Sequence, residues 1–276
     1  MKHTKKTRTM TPEALEKLAA ARAIAALSQL SPRARGEQKN QAALDWIYRW
    51  GWSSPAMLDL VTGKPRSGVA ARLVRRNLIS STKTESGGGV AGVPMAIVTL
   101  TQLGHEQVER FRDDLIPYEI DPYRLDQSKL RHDLISQKAT CEALAAGLIE
   151  NFKTPNELTA QSQKGVKQPD VLWIRQAGKR MGIEVELSAK WDRKLDQFVM
   201  SCLLSLQKST PSKPNEVDEI AIVSDSKAIL RRYSKAFEPG ENLAIWKKND
   251  RGLWVQEEII KVPAWVEGKI LCEFIE

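Results

Sequence analysis

Cysteine, histidine and long apolar runs are all scarce in this chain. Its 276 residues include 3 cysteines and 3 histidines. The cysteines, Cys141, Cys202 and Cys272, form no CxxC pair, and no histidine stands beside them at metal-ligand spacing. This argues against a zinc cluster and against a disulfide framework. We expect the three cysteines to be small core residues in a reducing compartment.

The longest apolar runs, such as EIAIVS at 219–224, are too short to cross a bilayer. The N-terminal stretch MKHTKKTRTM leads into a charged helix pattern rather than the apolar region of a signal peptide. We therefore expect a soluble, cytoplasmic protein with no membrane partner. With 42% hydrophobic residues the chain can bury a substantial core, and its length favours two domains.

The positive charge is concentrated in one part of the chain. Residues 1–110 hold 17 of the 42 Lys and Arg but 8 of the 34 Asp and Glu, a balance of +9. The remaining 25 basic and 26 acidic residues give residues 111–276 a balance of −1. A basic first part joined to a neutral second part favours a polyanion as partner of the first.

Helix formers, caps and breakers divide the first part into short segments. They predict a helix over 11–30, a polar linker over 31–40, and three short helices over 41–51, 53–63 and 64–79. Alternating strands around the glycine-rich run SGGGVAG then predict a long hairpin, and LTQLGHEQVERF starts another helix. The run SGGGVAG lacks the GK[ST] ending of a phosphate loop, which favours a hairpin tip.

Three helices followed by a hairpin outline a winged helix-turn-helix domain, which we place at 39–112 after a basic arm and helix at 1–38. In its third helix Val69, Leu73 and Val74 are expected to pack. Arginines recur at i, i+3 and i+4 on another face, as expected for a helix that reads the major groove. The candidate DNA-binding residues are Arg66, Arg72, Arg75 and Arg76. A merely solvated helix face is the alternative.

The second part alternates helices and strands. After a linker at 113–128 it predicts a helix at 130–152, with Phe152 on its apolar face, and two strands within 171–187 around a turn containing Gly178. The remaining predicted elements are a helix at 188–207, a strand at 219–226, a helix at 227–237 and two further strands. This order indicates an α/β domain at 129–276.

Carboxylates recur at the centre of that domain, in the stretch GIEVELSAK at 182–190. Side chains alternate along a strand, so Glu184 and Glu186 share one face and the apolar Ile183, Val185 and Leu187 the other. If the two strands pair, Asp170 at the entrance to the first strand converges with both glutamates. Carboxylate oxygens suit hard cations such as Mg²⁺ or Mn²⁺ beside a phosphate. A plain solvent-facing strand is the alternative.

The Pro169-Asp170 pair, the strand turn, the ExE sequence and RHDL at 131–134 together resemble the PD-(D/E)xK nuclease superfamily. With a preceding winged helix, the chain is similar to the MobC-type plasmid relaxases and the replication-relaxation proteins. The resemblance implies a restriction-endonuclease-like α/β domain whose metal ligands are Asp170, Glu184 and Glu186. Glu186 stands where the superfamily usually has lysine, so the catalytic set is these three carboxylates with Lys190, or less directly Lys194, supplying the amine. His132 or Glu142 is an additional candidate on the first helix.

The same resemblance implies a metal-dependent, site-specific endonuclease that binds double-stranded plasmid DNA and nicks one strand to start conjugative mobilisation. Other transfer-complex proteins are further expected partners. Two alternatives remain open: a non-catalytic replication or transfer regulator, and a double-strand-cutting transposon or defence nuclease. The relaxase class that uses a histidine cluster is excluded, because His3, His105 and His132 are unpaired in sequence. A covalent tyrosine intermediate cannot be inferred.

Overall fold

The predicted α/β fold class is confirmed by a computed structural model, which describes residues 30–159, 168–207 and 216–275. These residues form eight α-helices and three β-sheets. The chain divides into two compact units, Met1–Gln41 and Ala42–Glu276. Except for Leu30, the helix predicted at 11–30 lies outside the described residues. None of the described helices is long and apolar enough to cross a lipid bilayer.

Three helices, an antiparallel hairpin and a fourth helix come first in the chain. They are α1 (Pro32–Trp50), α2 (Pro55–Val61), α3 (Val69–Arg75), β1 (Ile79–Lys83), β2 (Ala96–Leu100) and α4 (Gln102–Glu109). Helix α2 is capped by Ser54, whose side chain accepts a hydrogen bond from the Met57 N–H. On α3, Val69 and Leu73 are buried, but Val74 is 41% exposed, so the prediction that Val74 packs in the core was wrong.

The polar linker predicted over 31–40 was also wrong, because α1 already begins at Pro32. Proline suits the first position of a helix, and the Ser31 side chain caps this one by accepting a hydrogen bond from the Ala34 N–H. The residues that follow are polar but are mostly good helix formers. Their polarity indicates an exposed helix, which the sequence pattern did not distinguish from a loop.

The segment between the two parts is irregular, as predicted for a connector. It contains two 3₁₀ turns, Pro122–Arg124 and Gln127–Lys129. Two tyrosine hydroxyls anchor the start of this segment. That of Tyr48 accepts from the Ile116 N–H and donates to its carbonyl, both at 2.9 Å. That of Tyr118 accepts from the Leu100 N–H at 2.8 Å. The connector is therefore fastened to the helical part by buried polar contacts.

The second part of the chain carries the larger sheet. Its helices are α5 (Leu130–Ala145), α6 (Pro155–Thr159), α7 (Asp192–Leu206) and α8 (Lys227–Ala236). Its strands are β3 (Asn151–Lys153), β4 (Val171–Ile174), β5 (Arg180–Val185), β6 (Glu219–Ser224), β7 (Asn242–Lys248), β8 (Trp254–Lys261) and β9 (Ile270–Phe274). The helix predicted to reach residue 152 ends at Ala145, since Gly147, at φ 67°, turns the chain. Phe152 lies on β3 instead.

Five strands pair in the order β3-β4-β5-β6-β9, and β7 pairs with β8 in a separate hairpin. The predicted β4–β5 hairpin is confirmed: the two strands are antiparallel, with Val171 opposite Ile183 and Gly178 in the turn. Strands β5, β6 and β9 are parallel. Cys141 and Cys202 are buried, but Cys272 on the edge strand β9 is exposed, so the expectation that it is a core residue was wrong.

One apolar core runs from the helical part into the sheet. It includes Ile47 and Leu58 from the helices and Val171 and Ile183 from the strands. Within residues 42–276 the two predicted parts therefore share buried surface. The predicted domain boundaries at 39–112, 113–128 and 129–276 stay a prediction.

A buried glutamine on α5 links these parts by hydrogen bonds. The Gln137 Oε1 accepts from the Trp46 Nε1 at 2.9 Å and from the Ser53 Oγ at 2.8 Å. Its Nε2 donates to the Trp52 carbonyl at 3.1 Å. Gln137 is fully buried, so each partner would be left without a bond if the amide were removed.

Replacing Gln137 by alanine is therefore expected to lower the free energy of unfolding by about 2–4 kcal/mol, because buried polar groups lose their partners. Urea denaturation followed by tryptophan fluorescence measures the loss. The matched control is Lys138→Ala at the next position of α5, whose ion pair with Glu142 is at the surface. It should change stability by less than about 0.5 kcal/mol. Equal effects of the two substitutions would contradict the proposed link.

Candidate functional site

Asp170 is fixed against the central strand by two backbone contacts. Its N–H donates to the Ile183 carbonyl at 2.9 Å, which continues the β4–β5 pairing by one residue. Its Oδ2 accepts from the Val185 N–H at 2.8 Å. The side chain thus folds over the end of β5. This hairpin brings Asp170 beside the ExE sequence, although the two are 14 residues apart.

Both glutamates of the ExE sequence are buried. Glu184 is 4% exposed and Glu186 6% exposed, so the alternative that they face solvent was wrong. Glu184 is on β5 and Glu186 directly after it, where the Glu186 N–H donates to the Val223 carbonyl on β6 at 2.9 Å. The opposite face of β5 carries Ile183 and Val185, which belong to the shared core. The predicted division of the strand into a carboxylate face and an apolar face is confirmed.

A cleft of about 530 Å³ opens at this end of β5. Its walls bring together most of the residues singled out from the sequence, with one arginine that was not. They are Asp170, Glu184, Glu186, Lys190, His132 and Arg131. Three carboxylates and three basic side chains therefore face one space, which is large enough for a phosphate group and its neighbouring atoms.

Glu186 is held by a cation and a phenol. The Lys190 Nζ forms an ion pair with its Oε1, and the Tyr233 hydroxyl donates to its Oε2 at 2.9 Å. The ammonium group also lies 4.8 Å from the centre of the Phe198 ring. Burial and then the Glu186 charge raise the pKa of Tyr233 well above its usual value of 10, so the phenol stays protonated. The buried charge of Glu186 is thus compensated by an opposite charge and a hydrogen bond.

Lys190 reaches Glu186 from an irregular segment and not from a helix. The sequence pattern placed it one turn inside the helix after β5, but α7 begins at Asp192. Asp192 has φ 45°, a left-handed conformation that redirects the chain as the helix starts. Lys194, the second candidate for the amine, is exposed on α7 and is not part of the cleft wall.

His132 bridges two carboxylates at the start of α5. Its Nε2 lies 3.1 Å from the Asp170 Oδ2 and its Nδ1 3.0 Å from the Asp133 Oδ1. Burial alone would lower the pKa of His132. The hydrogen bonds and charges of Asp133 and Asp170 outweigh it and raise the pKa from 6.5 to about 10. His132 is therefore an imidazolium at neutral pH, and it places a positive charge in the cleft.

The structure does not bring Glu142 to this cleft. It lies ten residues beyond His132 on α5, about 15 Å along the helix axis at about 1.5 Å per residue. Its carboxylate is exposed and pairs with Lys138 at 3.8 Å. Of the two candidates on this helix, His132 alone lines the cleft.

The four candidate DNA-binding arginines lie on or beside α3. Arg66, Arg75 and Arg76 are exposed and Arg72 is half-buried. Arg66 has a positive φ of 52°, in the turn before the helix. The helix buries Val69 and Leu73, so its basic residues face outward. This is the arrangement expected of a helix whose apolar side packs on the core and whose basic side meets a polyanion.

The sequence pattern did not identify two residues of the site, because their partners are distant in sequence. Tyr233, on α8, is 47 residues from Glu186. Arg131 forms an ion pair with Asp225, 94 residues away, beyond β6. Arg131 also touches the hairpin: a Cβ placed on Gly92 would come within 2.9 Å of its Nε. The RHDL sequence was the only signal near Arg131, and no signal pointed to Tyr233.

The donor chemistry of the cleft fits a hard divalent cation in part. Asp170 and Glu184 offer carboxylate oxygens, the ligands that Mg²⁺ and Mn²⁺ prefer. Glu186 fits less well, because Lys190 and Tyr233 occupy both of its oxygens. Across residues 30–159, 168–207 and 216–275, no group of three or more His, Cys, Asp or Glu side chains lies close enough to share an ion. Asp170 is also engaged, since its Oδ2 accepts from the Val185 N–H and lies against His132, so a bound ion would share Asp170 with these groups.

Comparison with known proteins found no match to this chain. No protein-family model matches the chain, and neither a curated protein nor a solved structure matches it.

The raised pKa of His132 gives a measurable expectation. In the folded protein its imidazole should titrate near pH 10, and in urea near its usual value of about 6.5. The charged ring then stabilises the fold fully below pH ~6.5, and this contribution is lost as the pH rises through about 10. NMR of the imidazole carbon-bound protons measures both values. Asp133→Asn should lower the folded value, and a folded-state titration near pH 6.5 would contradict the paired geometry.

Proposed function

We propose that this protein is a divalent-metal-dependent, site-specific DNA endonuclease that nicks one strand of plasmid DNA to initiate conjugative mobilisation. The observation that carries the proposal is the cleft at the end of β5, where Asp170 and Glu184 share a wall with Lys190. The sequence resemblance to MobC-type relaxases and replication-relaxation proteins supplies the biological context. The nucleic acid is proposed to enter this cleft through its phosphate backbone.

We infer that the helices and hairpin before residue 112 form a winged helix-turn-helix domain and that the following part has a restriction-endonuclease-like fold. Three helices followed directly by an antiparallel hairpin support the first assignment. An antiparallel β4–β5 pair joined to parallel β6 supports the second. In such a fold the acidic residues come from the two neighbouring arms of the hairpin; here Asp170 stands directly before β4 and Glu184 on β5.

Asp170 and Glu184 would hold the metal ion. When bound, such an ion neutralises charge on the phosphate and makes a water molecule more acidic. The Asp170 carboxylate is oriented for this by the Val185 N–H and by His132. Glu184 is oriented by its place on the central strand, which pairs on both sides. Both ligands therefore come from rigid parts of the fold.

Lys190 supplies the amine that the ExE sequence lacks. The superfamily pattern has lysine at the position of Glu186, and here the Lys190 ammonium group sits on the Glu186 carboxylate itself. We propose that Glu186 acts by holding Lys190 in place, and that the ammonium group contacts a phosphate oxygen or orients the attacking water. Arg131 and His132 line the same cleft and offer further N–H donors to a phosphate oxygen.

The nuclease proposal predicts loss of nicking when the cleft carboxylates are neutralised. Asp170→Asn and Glu184→Gln should each slow nicking of a supercoiled plasmid by about 100-fold or more, since each removes a metal-binding oxygen. The substrate is a plasmid carrying the DNA that flanks the gene for this protein, assayed with Mg²⁺ on agarose gels. Lys190→Ala should also slow nicking, with partial recovery in Lys190→Arg.

The matched control is Glu238→Gln, which neutralises an exposed carboxylate just beyond α8. It should nick at the wild-type rate. If Asp170→Asn and Glu184→Gln also nick at the wild-type rate, the proposed site is wrong. Circular dichroism of each variant establishes that it is folded before the rates are compared.

If α3 docks on DNA, removing its basic side chains should lower the affinity for DNA, and the loss should depend on salt. Arg66→Ala, Arg75→Ala and Arg76→Ala should each weaken binding to duplex fragments of the flanking DNA. Each should reduce the salt slope by about 1, because one phosphate contact is lost. Fluorescence anisotropy across a salt series measures both quantities. Arg124→Ala, at an exposed arginine of the connector, should leave them unchanged; unchanged binding by all three α3 variants would refute the docking model.

A non-catalytic regulator that keeps this fold is the second candidate function. The observation that favours it is the occupation of the carboxylates by protein groups: Lys190 and Tyr233 on Glu186, and His132 on Asp170. Such a protein would bind DNA with the same salt dependence but would be indifferent to Mg²⁺. The nicking assay separates the two candidates directly.

A further inference from the structure

An exposed tryptophan follows the cleft lysine in sequence. Trp191 is 61% exposed, although it stands between Lys190 of the cleft wall and the first residue of α7. Exposure of so large an apolar ring is costly, at about 25 cal/mol for each Å². Four other tryptophans, Trp46, Trp50, Trp52 and Trp173, are buried. Trp191 is therefore placed at the surface against the hydrophobic preference of its side chain.

The ring of Trp191 is also held in place. The Arg232 guanidinium lies 3.5 Å from the ring centre, a stacked cation–π contact. The Arg232 Nε donates a hydrogen bond to the Lys190 carbonyl at 2.8 Å. Arg232 therefore links the Trp191 ring to the backbone of Lys190, which lines the cleft. The guanidinium covers one face, and the exposed area is left to the other face and the edge. A ring fixed in this way offers a preformed flat surface beside the cleft.

A second aromatic and basic stack begins two residues later. The Arg193 guanidinium lies 4.7 Å from the ring centre of Trp254, and the Lys248 Nζ lies 5.5 Å from the same centre. Trp254, on β8, is 40% exposed. Two stacks of an aromatic ring on a basic group therefore involve residues within three positions of Lys190: Trp191 with Arg232, and Arg193 with Trp254.

We propose that these two stacks form a path for single-stranded DNA that leads out of the cleft, with Trp191 stacking on the unpaired base next to the cleaved phosphate. This inference rests on the proposed function, which identifies the nucleic acid as DNA. Alternating aromatic and basic groups bind single strands because the rings stack on bases and the cations follow the backbone. Bases inside a duplex are covered on both faces, so the substrate must be locally unpaired at this point. Supercoiled DNA supplies such openings.

The test is fluorescence anisotropy in EDTA with two labelled probes, a short oligothymidine and a fully paired duplex of equal length. Trp191→Ala should weaken oligothymidine binding about tenfold, and Trp254→Ala should weaken it by a smaller factor, because each loses a stacking contact. Trp191→Phe should keep most of the affinity. Binding of the duplex should change less than about twofold in all three variants, since α3 carries that contact.

The control is Trp265→Ala. Trp265 is 41% exposed and lies 5.1 Å from the Lys269 Nζ, but it sits in the turn between β8 and β9 rather than beside α7. It should bind oligothymidine like the wild type. The path is refuted if Trp191→Ala binds oligothymidine as tightly as the wild type, or if its duplex binding falls by the same factor. An equal loss in Trp265→Ala would also refute it.

The result of the oligothymidine binding test can be distinguished from the result of the nicking assay. Asp170→Asn keeps both stacks and should bind oligothymidine like the wild type in EDTA, even though its nicking is expected to be slow. If the wild type nicks plasmid and Trp191→Ala retains full single-strand affinity, the path alone is wrong. If nothing is nicked but single-strand affinity depends on Trp191, the nuclease proposal alone is wrong.

Discussion

The burial of Glu186 at the end of the central strand and the partial burial of Asp170 beside it are the constraint to which the rest of the site responds. A carboxylate shielded from water is unfavourable unless other groups compensate its charge. Around Glu186 the compensation comes from Lys190 and the Tyr233 hydroxyl, which are brought together from two separate elements. Around Asp170 it comes from the Val185 N–H and from His132. The cleft consequently holds basic groups beside its carboxylates, a combination that suits a phosphate together with a cation.

The helical part and the cleft are connected through shared structure. The core that covers the apolar face of β5 continues into α1 and α2, and Gln137 bonds to three residues at the end of α1 and just after it. On the outside, the hairpin approaches Arg131 at Gly92, and Arg131 lines the cleft. If α3 holds DNA as proposed, the shared core keeps the duplex at a fixed position relative to the cleft. Site selection would then come from the helices and chemistry from the sheet.

Local patterns in the sequence predicted the fold class, the hairpin that joins Asp170 to Glu184, and the two faces of β5. These features depend on strand alternation and turn residues, which are encoded within a few positions. The contacts of Tyr233 and the pairing of Arg131 with Asp225 could not be predicted, since they depend on how α8 and the loop after β6 fold back. The linker over 31–40 was misread because polarity marks exposure and not the absence of a helix. The helix was predicted to reach Phe152 because Gly147 was not recognised as a stop signal.

If Asp170 and Glu184 form a divalent-cation site, Mn²⁺ binding followed by electron paramagnetic resonance will detect it in the folded protein. Free Mn²⁺ gives a sharp spectrum that is lost on binding, so titration counts the ions held by the folded protein without any DNA. We expect the wild type to bind Mn²⁺, Asp170→Asn and Glu184→Gln to abolish binding, and Glu238→Gln to preserve it. A wild-type protein that leaves the free Mn²⁺ signal unchanged, or variants that bind as well as the wild type, would contradict this expectation.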